Sequence, residues 1–295
     1  MRRGRIDMNL KGQPAFVGRH CGSNQYEITP EVVAFYRDAL DDRAELPEGA
    51  APPLLHHSEC YKHLGDWYLA NLFGNLHARQ EWELFGAMRL GSCIRSRSTI
   101  VARYAKRGRN YVVNETDLMD MEDGRLLVRG RTHQSFLPPR EHAEAAGFVV
   151  DERTAERKQA EPRPAFPTAT LADLEAVTKR VDVRRCWMFS GPARNYHTDR
   201  EEARKFGFPN IVVQGMMATC FVSEVMQRAF GEGWLVGGKM DVRLTNVLWV
   251  DERVTAHAKI REEIPEGTRT RVGCDVWVEK EDGTRILIGD ASAVR

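Results

Sequence analysis

Two stretches of the chain carry the same alternation of apolar and polar residues. One, LFGAMRLGSCIRSRSTIVARYAKRGRNYVVNE, starts at Leu84, and the other, LTNVLWVDERVTAHAKIREEIPEGTRTRVGCD, starts at Leu244. At an offset of 160 residues Leu84 meets Leu244, Leu90 meets Val250, Ile94 meets Val254, Ile100 meets Ile260, Arg109 meets Arg269 and Val112 meets Val272. After a one-residue slip, EDGRLLVRG (122–130) meets EDGTRILIG (281–289). Asp-Gly between alternating apolar runs is a two-strand turn signal. Each stretch therefore predicts an antiparallel meander of about three long strands, and the match predicts two copies of one unit.

Helices are expected beside both meanders. VVQGMMATCFVSEVMQRAFG (212–231) is apolar on nearly every side, with Arg228 and Gly231 near its end, which predicts a helix buried against a sheet. TPEVVAFYRDALDD begins with Thr29 as N-cap and Pro30 at the first helical position, and CYKHLGDWYLANLFG reads as a second helix of the first unit. Asp199, followed by Glu202, predicts a short capped helix that Gly207 ends. The charged, proline-rich stretch between the copies reads as a linker. The expected division is 1–140, a first unit; 141–168, a linker; and 169–295, a second unit. The fold class is α+β, with two antiparallel sheets each wrapping a helix, paired within one chain, and a pocket at their junction.

Composition narrows the partners. Lys plus Arg (43) nearly equals Asp plus Glu (42), which gives no whole-molecule reason to bind nucleic acid or a membrane surface. No run approaches ~20 apolar residues, and MRRGRIDMNLKGQPAF has no apolar stretch of signal-peptide length, so a soluble, cytoplasmic protein is expected. The six cysteines lack CxxC spacing, which predicts buried reduced thiols rather than disulfides or a thiolate zinc site. His56, Cys60 and His63 would share one face of a helix, as metal ligands or as a polar rim; no metal is expected. Arg95, Arg97, Arg103, Lys106, Arg107 and Arg109 could gather on one strand face for phosphates or an acidic carrier protein, or form a solvated face. His77 reads as structural.

The chemistry concentrates in FSGPARNYHTDREEARKFGFPNIVVQGMM, from Phe189. His197 lies on a loop ahead of a helix, and Gly215 opens the buried one. Backbone N–H groups at a helix start lack intrahelical partners and point along the positive end of the dipole. Such a donor stabilises the oxygen of a thioester undergoing proton abstraction beside its carbonyl, and a histidine can give or take the proton. A purely structural His197, capping or packing, stays open on spacing alone.

This stretch resembles the hydratase motif of MaoC-like enoyl-CoA hydratases and dehydratases, S-G-D-x-N-P-x-H-x-D followed by an Ala, G-F and a terminal H-G or Q-G. YEITPEVVAFYRDALDD, LHARQEWELFGAMRLGS and RYAKRGRNYVVNETDLMDMEDGRLLVRGRTHQSF are similar to the N-terminal half of two-hotdog members, so the resemblance covers most of the chain. It implies a double hotdog, an acyl-CoA or acyl-carrier-protein substrate, no cofactor, and commonly a homodimer. Carried over, His197 is the catalytic histidine, Gly215 supplies the oxyanion N–H and Ser223 supports the active-site carboxylate; Asn195, which with Arg194 stands where the family has Pro and Asn, is expected to orient the histidine or its water. The implied activity is addition of water to a 2-enoyl-CoA, or the reverse, with one site per chain in the second unit. The first unit, its helix shortened or broken, would make room for a bulky acyl group.

The departure is Pro192, which stands where the family has an aspartate five residues before the histidine. Proline has neither a titratable group nor a donor. Three readings follow: Asn195 or Arg194 takes part in a variant mechanism, Asp199 or a carboxylate of the first unit approaches, or the protein binds acyl thioesters without hydrating them. The alternatives to a hydratase are therefore an acyl-CoA-binding or assembly subunit and a hotdog thioesterase.

Overall fold

The computed structural model describes residues 15–62, 76–136 and 172–295. The expected linker, His63 and most of the expected second helix of the first unit lie outside them.

The duplication is written into the backbone. Strands β1 (His20–Glu27), β2 (Leu76–Leu84), β3 (Cys93–Lys106), β4 (Arg109–Asp120) and β5 (Leu126–Phe136) form the first unit. Strands β6 (Val177–Arg180), β7 (Lys239–Leu244), β8 (Arg253–Glu266), β9 (Arg269–Lys280) and β10 (Arg285–Val294) form the second. The bounds of β3 and β4 recur 160 residues later in β8 and β9, and so does a bulge, between Ile100 and Ala102 in one copy and between Ile260 and Glu262 in the other. At the paired Asp-Gly turns, Gly124 (φ 72°) and Gly283 (φ 80°) take the left-handed backbone that glycine adopts without strain.

All ten strands join one antiparallel sheet in the order β1-β3-β4-β5-β2-β7-β10-β9-β8-β6. The seam between units is β2 on β7, where Glu81 lies opposite Asp241. These two are equivalents at the 160-residue offset, so a local two-fold axis passes between them. Arg79 of β2 crosses the seam to Asp241 (Nε to Oδ1, 2.6 Å).

The bulge also separates the basic residues that could have gathered on one strand face. Arg95 and Arg97 point outward and are exposed, but beyond the bulge the alternation inverts. Arg103 therefore pairs beside Val112 on the inner side, where its guanidinium donates to the Ala15 carbonyl, and Arg109 donates to Ser135 Oγ (3.1 Å). The six basic residues do not form one surface.

The helices are α1 (Pro30–Leu40), α2 (Val183–Ser190), α3 (Arg200–Lys205), α4 (Gly215–Phe230) and α5 (Glu232–Leu235). Helix α4 is the expected buried one: thirteen of its sixteen residues are buried, and it packs on β8, β9 and β10. Thr29 Oγ1 caps α1 by accepting from Val32 N (3.3 Å). Helix α1 packs on α2 and α4 of the second unit. Among the described residues the first sheet carries instead a 3-10 turn, His57–Cys60, which packs against β3, β4 and β5. One apolar core runs through both units, from Ile28 and Leu40 to Phe221 and Val278. Cys60, Cys186, Cys220 and Cys274 are buried thiols as expected, but Cys21 is half-buried and Cys93 exposed. No helix among the described residues is long and apolar enough to cross a membrane.

Candidate active site

The loop bearing His197 is built from its own polar side chains. Helix α2, capped by Asp182 (Oδ1 accepts from Arg185 N, 2.8 Å), ends where Gly191 N donates to Trp187 O (2.8 Å). Asn195 then organises the turn. Its Nδ2 donates to the carbonyls of Ser190 and Ala193 (both 3.0 Å), and its Oδ1 accepts from the backbone N–H of His197 (2.8 Å). Thr198 Oγ1 accepts from Asn195 N (3.0 Å). Asp199 caps α3 through Oδ1 (2.9 Å to Glu201 N, 3.0 Å to Glu202 N), but Glu202 turns to Lys205 (2.7 Å) rather than completing a capping box.

Downstream the chain returns to the histidine. Val212 N donates to Tyr196 O (3.2 Å), Val213 N donates to Leu248 O (2.9 Å), and α4 begins at Gly215. His197 Nδ1 lies 2.7 Å from Val212 O. A carbonyl only accepts, so Nδ1 carries the hydrogen and Nε2 presents a lone pair. Burial holds the pKa down to about 4, against a weaker opposing pull from the Val212 carbonyl, so the ring is neutral at pH 7. Tyr196 lies against the ring (centroids 4.0 Å), and Phe206 and Phe208 lie against Tyr196. Among the described residues Nε2 has no protein partner.

The first unit reaches this place through its 57–60 turn. Tyr61 OH donates to Gln214 Oε1 (3.0 Å), one residue before Gly215, and the His57 ring stacks on Phe189 (centroids 4.1 Å, planes 9° apart). Gly215 N–H belongs to the first turn of α4, where the helix supplies no acceptor. A Cβ at Gly215 would come within 2.4 Å of Leu244 Cδ1, so the approach of β7 favours glycine here.

The structure thus brings together His197, Asn195 and the start of α4. It does not bring a carboxylate: among the described residues none bonds to His197. Asp199 is held by Arg194 (Nη2 to Oδ2, 3.0 Å) and by its cap, so that alternative is removed, and Arg194 is braced to α3. Pro192 is exposed. Ser223 lies elsewhere, its Oγ accepting from Trp234 Nε1 (3.0 Å) between α4 and α5, so its described partner is an indole, not a carboxylate. His56 stacks on Tyr26 (4.6 Å), and no group of three His, Cys, Asp or Glu among the described residues is placed to hold a metal ion. His77 is bonded to Gln80 (3.1 Å) at the start of β2. His57 and Tyr61 are the participants that sequence reading missed. The stretch HHSECYKH read as a helix face, whereas the tighter 3-10 turn aims His57 at the second unit.

A cavity of about 380 Å³ lies over the β2–β7 seam, lined in part by Glu81, Arg131, Asp241, Arg261 and Arg271. These side chains stand on the outer face of the sheet, opposite α4. A second, about 610 Å³, is lined by residues such as Arg180, Glu252 and Lys280. Neither includes His197 or Gly215.

No family model matches the sequence, and no curated protein matches it. Solved structures do. A MaoC-like dehydratase superposes with a TM-score of 0.71 at 16% identity, over 94% of this chain and 97% of its own. A putative MaoC domain protein dehydratase from Chloroflexus aurantiacus J-10-fl gives 0.69 at 12% identity, over 98% and 99%. A conserved hypothetical protein from Mycobacterium tuberculosis, described as having a double hotdog fold, gives 0.61 at 12% identity, over 95% and 96%. With the duplicated strands, the common seam and the buried α4, the chain has the double hotdog fold that MaoC-like dehydratases share.

Proposed function

We propose that the protein is an acyl-thioester hydratase or dehydratase, adding water to a 2-enoyl thioester of coenzyme A or an acyl-carrier protein, or removing it from the 3-hydroxyacyl thioester. The observation that carries this reading is a neutral histidine, its Nε2 without a protein partner among the described residues, tethered at Nδ1 to the carbonyl of Val212, which lies three residues upstream of the open N-terminus of α4. In hydration, Nε2 takes a proton from a water whose oxygen bonds to C3. The π electrons shift toward C2 and the thioester carbonyl, and Gly215 N–H stabilises the oxygen that becomes negative. The imidazolium then returns its proton to C2, so atoms and charge balance and one histidine acts as base and then acid. In this reading Asn195 is a positioning residue, and no carboxylate among the described residues takes the place of the aspartate absent at Pro192. Dehydratases among the structural neighbours support the same chemistry. A homodimer in the cytoplasm completes the proposal.

The test is a panel of short, long and branched 2-enoyl-CoAs, following loss of the conjugated enoyl absorbance. Wild type should turn over at least one, and His197→Ala should lose about 10²- to 10⁴-fold in kcat. Acyl-CoA binding that survives His197→Ala, with no turnover by wild type, would establish a binding subunit instead. Release of free thiol would establish a thioesterase.

A further inference from the structure

The cavity over the seam has a filled counterpart in the other half of the molecule. The local two-fold axis matches Tyr104 with Ile264, Tyr111 with Arg271, Val113 with Gly273, Arg79 with Lys239 and, after the one-residue slip, His133 with Ser292. The strand registers pair these residues alike in both units. In the first unit the Tyr104 and Tyr111 rings stack there (centroids 4.6 Å, planes 5° apart), and the Tyr104 hydroxyl lies 3.1 Å from His133 Nδ1. In the second unit the five equivalents all line the cavity of about 380 Å³. Isoleucine, glycine and serine stand there for tyrosine, valine and histidine, and the smaller side chains leave open the space that a phenol ring fills in the other copy.

The polar groups of the cavity favour an anion. Its carboxylates are engaged: Glu81 and Asp241 with Arg79, Glu83 with Arg131, and Glu262 and Asp290 with Arg261. Arg271 spends Nε on Glu266 (2.7 Å) and Nη1 on Gly237 O (3.0 Å) and Ser292 Oγ (3.2 Å). Among the described residues the donors left without a partner are Arg271 Nη2, the Ser292 hydroxyl hydrogen and Lys239 Nζ. Arg271 also holds the place of Tyr111, and a guanidinium offers an aromatic ring a flat cationic face to stack on.

We infer that this cavity is a second binding site, for a small planar aromatic carboxylate. Its ring lies against Arg271 in the space that Tyr104 fills in the first unit, and its carboxylate accepts from Ser292 Oγ and Lys239 Nζ. The cavity is on the outer face of the sheet and includes neither His197 nor Gly215, so the inference stands apart from the function proposed above.

Calorimetry with 2-naphthoate tests it. The controls are decahydro-2-naphthoate, which keeps the charge without a flat ring, and 2-naphthalenemethanol, which keeps the ring without the charge. Wild type should bind 2-naphthoate about tenfold more tightly than decahydro-2-naphthoate. Ile264→Tyr, which places the other copy's side chain in the cavity, should abolish binding. Lys239→Met, at an exposed position, should weaken 2-naphthoate about fivefold and leave 2-naphthalenemethanol unchanged; thermal melts report folding of both variants. No binding of 2-naphthoate by wild type overturns the inference, as does equal binding of the flat and saturated acids. Binding unchanged in folded Lys239→Met, or displacement of 2-naphthoate by an acyl-CoA, overturns it too, because the ligand would then sit elsewhere.

Discussion

Asn195 commits its whole side chain to the turn beneath His197: two carbonyls accept from Nδ2, and Oδ1 receives the histidine's own N–H. Its influence on chemistry is therefore positional. Asn195→Ala should cost about 1–3 kcal/mol of stability through unpaired backbone groups. If His197 is the acid/base, the variant should also lower kcat about tenfold with little change in KM; equal loss with KM moving alone would mean the turn only shapes binding. The histidine makes a second statement. With its pKa held down to about 4 by burial, the acid limb of kcat/KM should fall near pH 4 rather than at the ordinary 6.5. The motif around His197 was legible from residue types alone, because turn and cap chemistry is local. Ser223 was not, since its partner Trp234 lies eleven residues on, brought back by α5.

Helix α4 is tied to its surroundings by a buried ion pair. Lys179 Nζ of β6 lies 2.7 Å from Glu224 Oε2, with side chains 3% and 2% exposed. Glu224 Oε1 also accepts from Arg43 N (3.0 Å) and Arg228 Nη2 (2.6 Å), and Lys179 donates to Asp41 O at the end of α1. Glu224→Leu leaves the lysine buried and unpaired, and should cost about 3–5 kcal/mol in urea unfolding. Lys179→Met added to Glu224→Leu should recover much of that loss; a double variant as unstable as the single would place the cost in the backbone donor of Arg43 instead. Elements with long, uniform patterns were legible: β3, β4, β8, β9 and α4. Edge strands β1 and β6 and helix α2 were not. β6 has four residues, and VRRCWMFS is too short and too mixed to show a period.

Acid should unfold the whole molecule early. His56 and His77 are held down to about 4, and His57 to about 3, each by burial first, alongside His197 at about 4. The folded pKa lies below the unfolded 6.5, so the unfolded chain binds more protons between these values. Stability is therefore fully present above about pH 6.5 and lost as pH falls toward 4, by about 1.4 kcal/mol per pH unit for each group at most. His57→Phe keeps a ring against Phe189 and removes one titrating group. The slope of unfolding free energy between about pH 4.5 and 6 should drop by about a quarter; an unchanged slope would show that His57 is not held neutral in the fold.

Periodicity, turn chemistry and capping were enough to foresee two copies of a meander, the helix buried against the second, and the place of His197, because each is decided among residues close in the chain. Only tertiary structure decided the rest. One bulge after Ile100 turned Arg103 inward and dissolved the basic face. The seam of β2 on β7 set Glu81 opposite Asp241. A 3-10 turn carried His57 and Tyr61 across to Phe189 and Gln214, more than a hundred residues away. These depend on strand register and on how two copies close against each other, and neither is encoded in any short stretch of sequence.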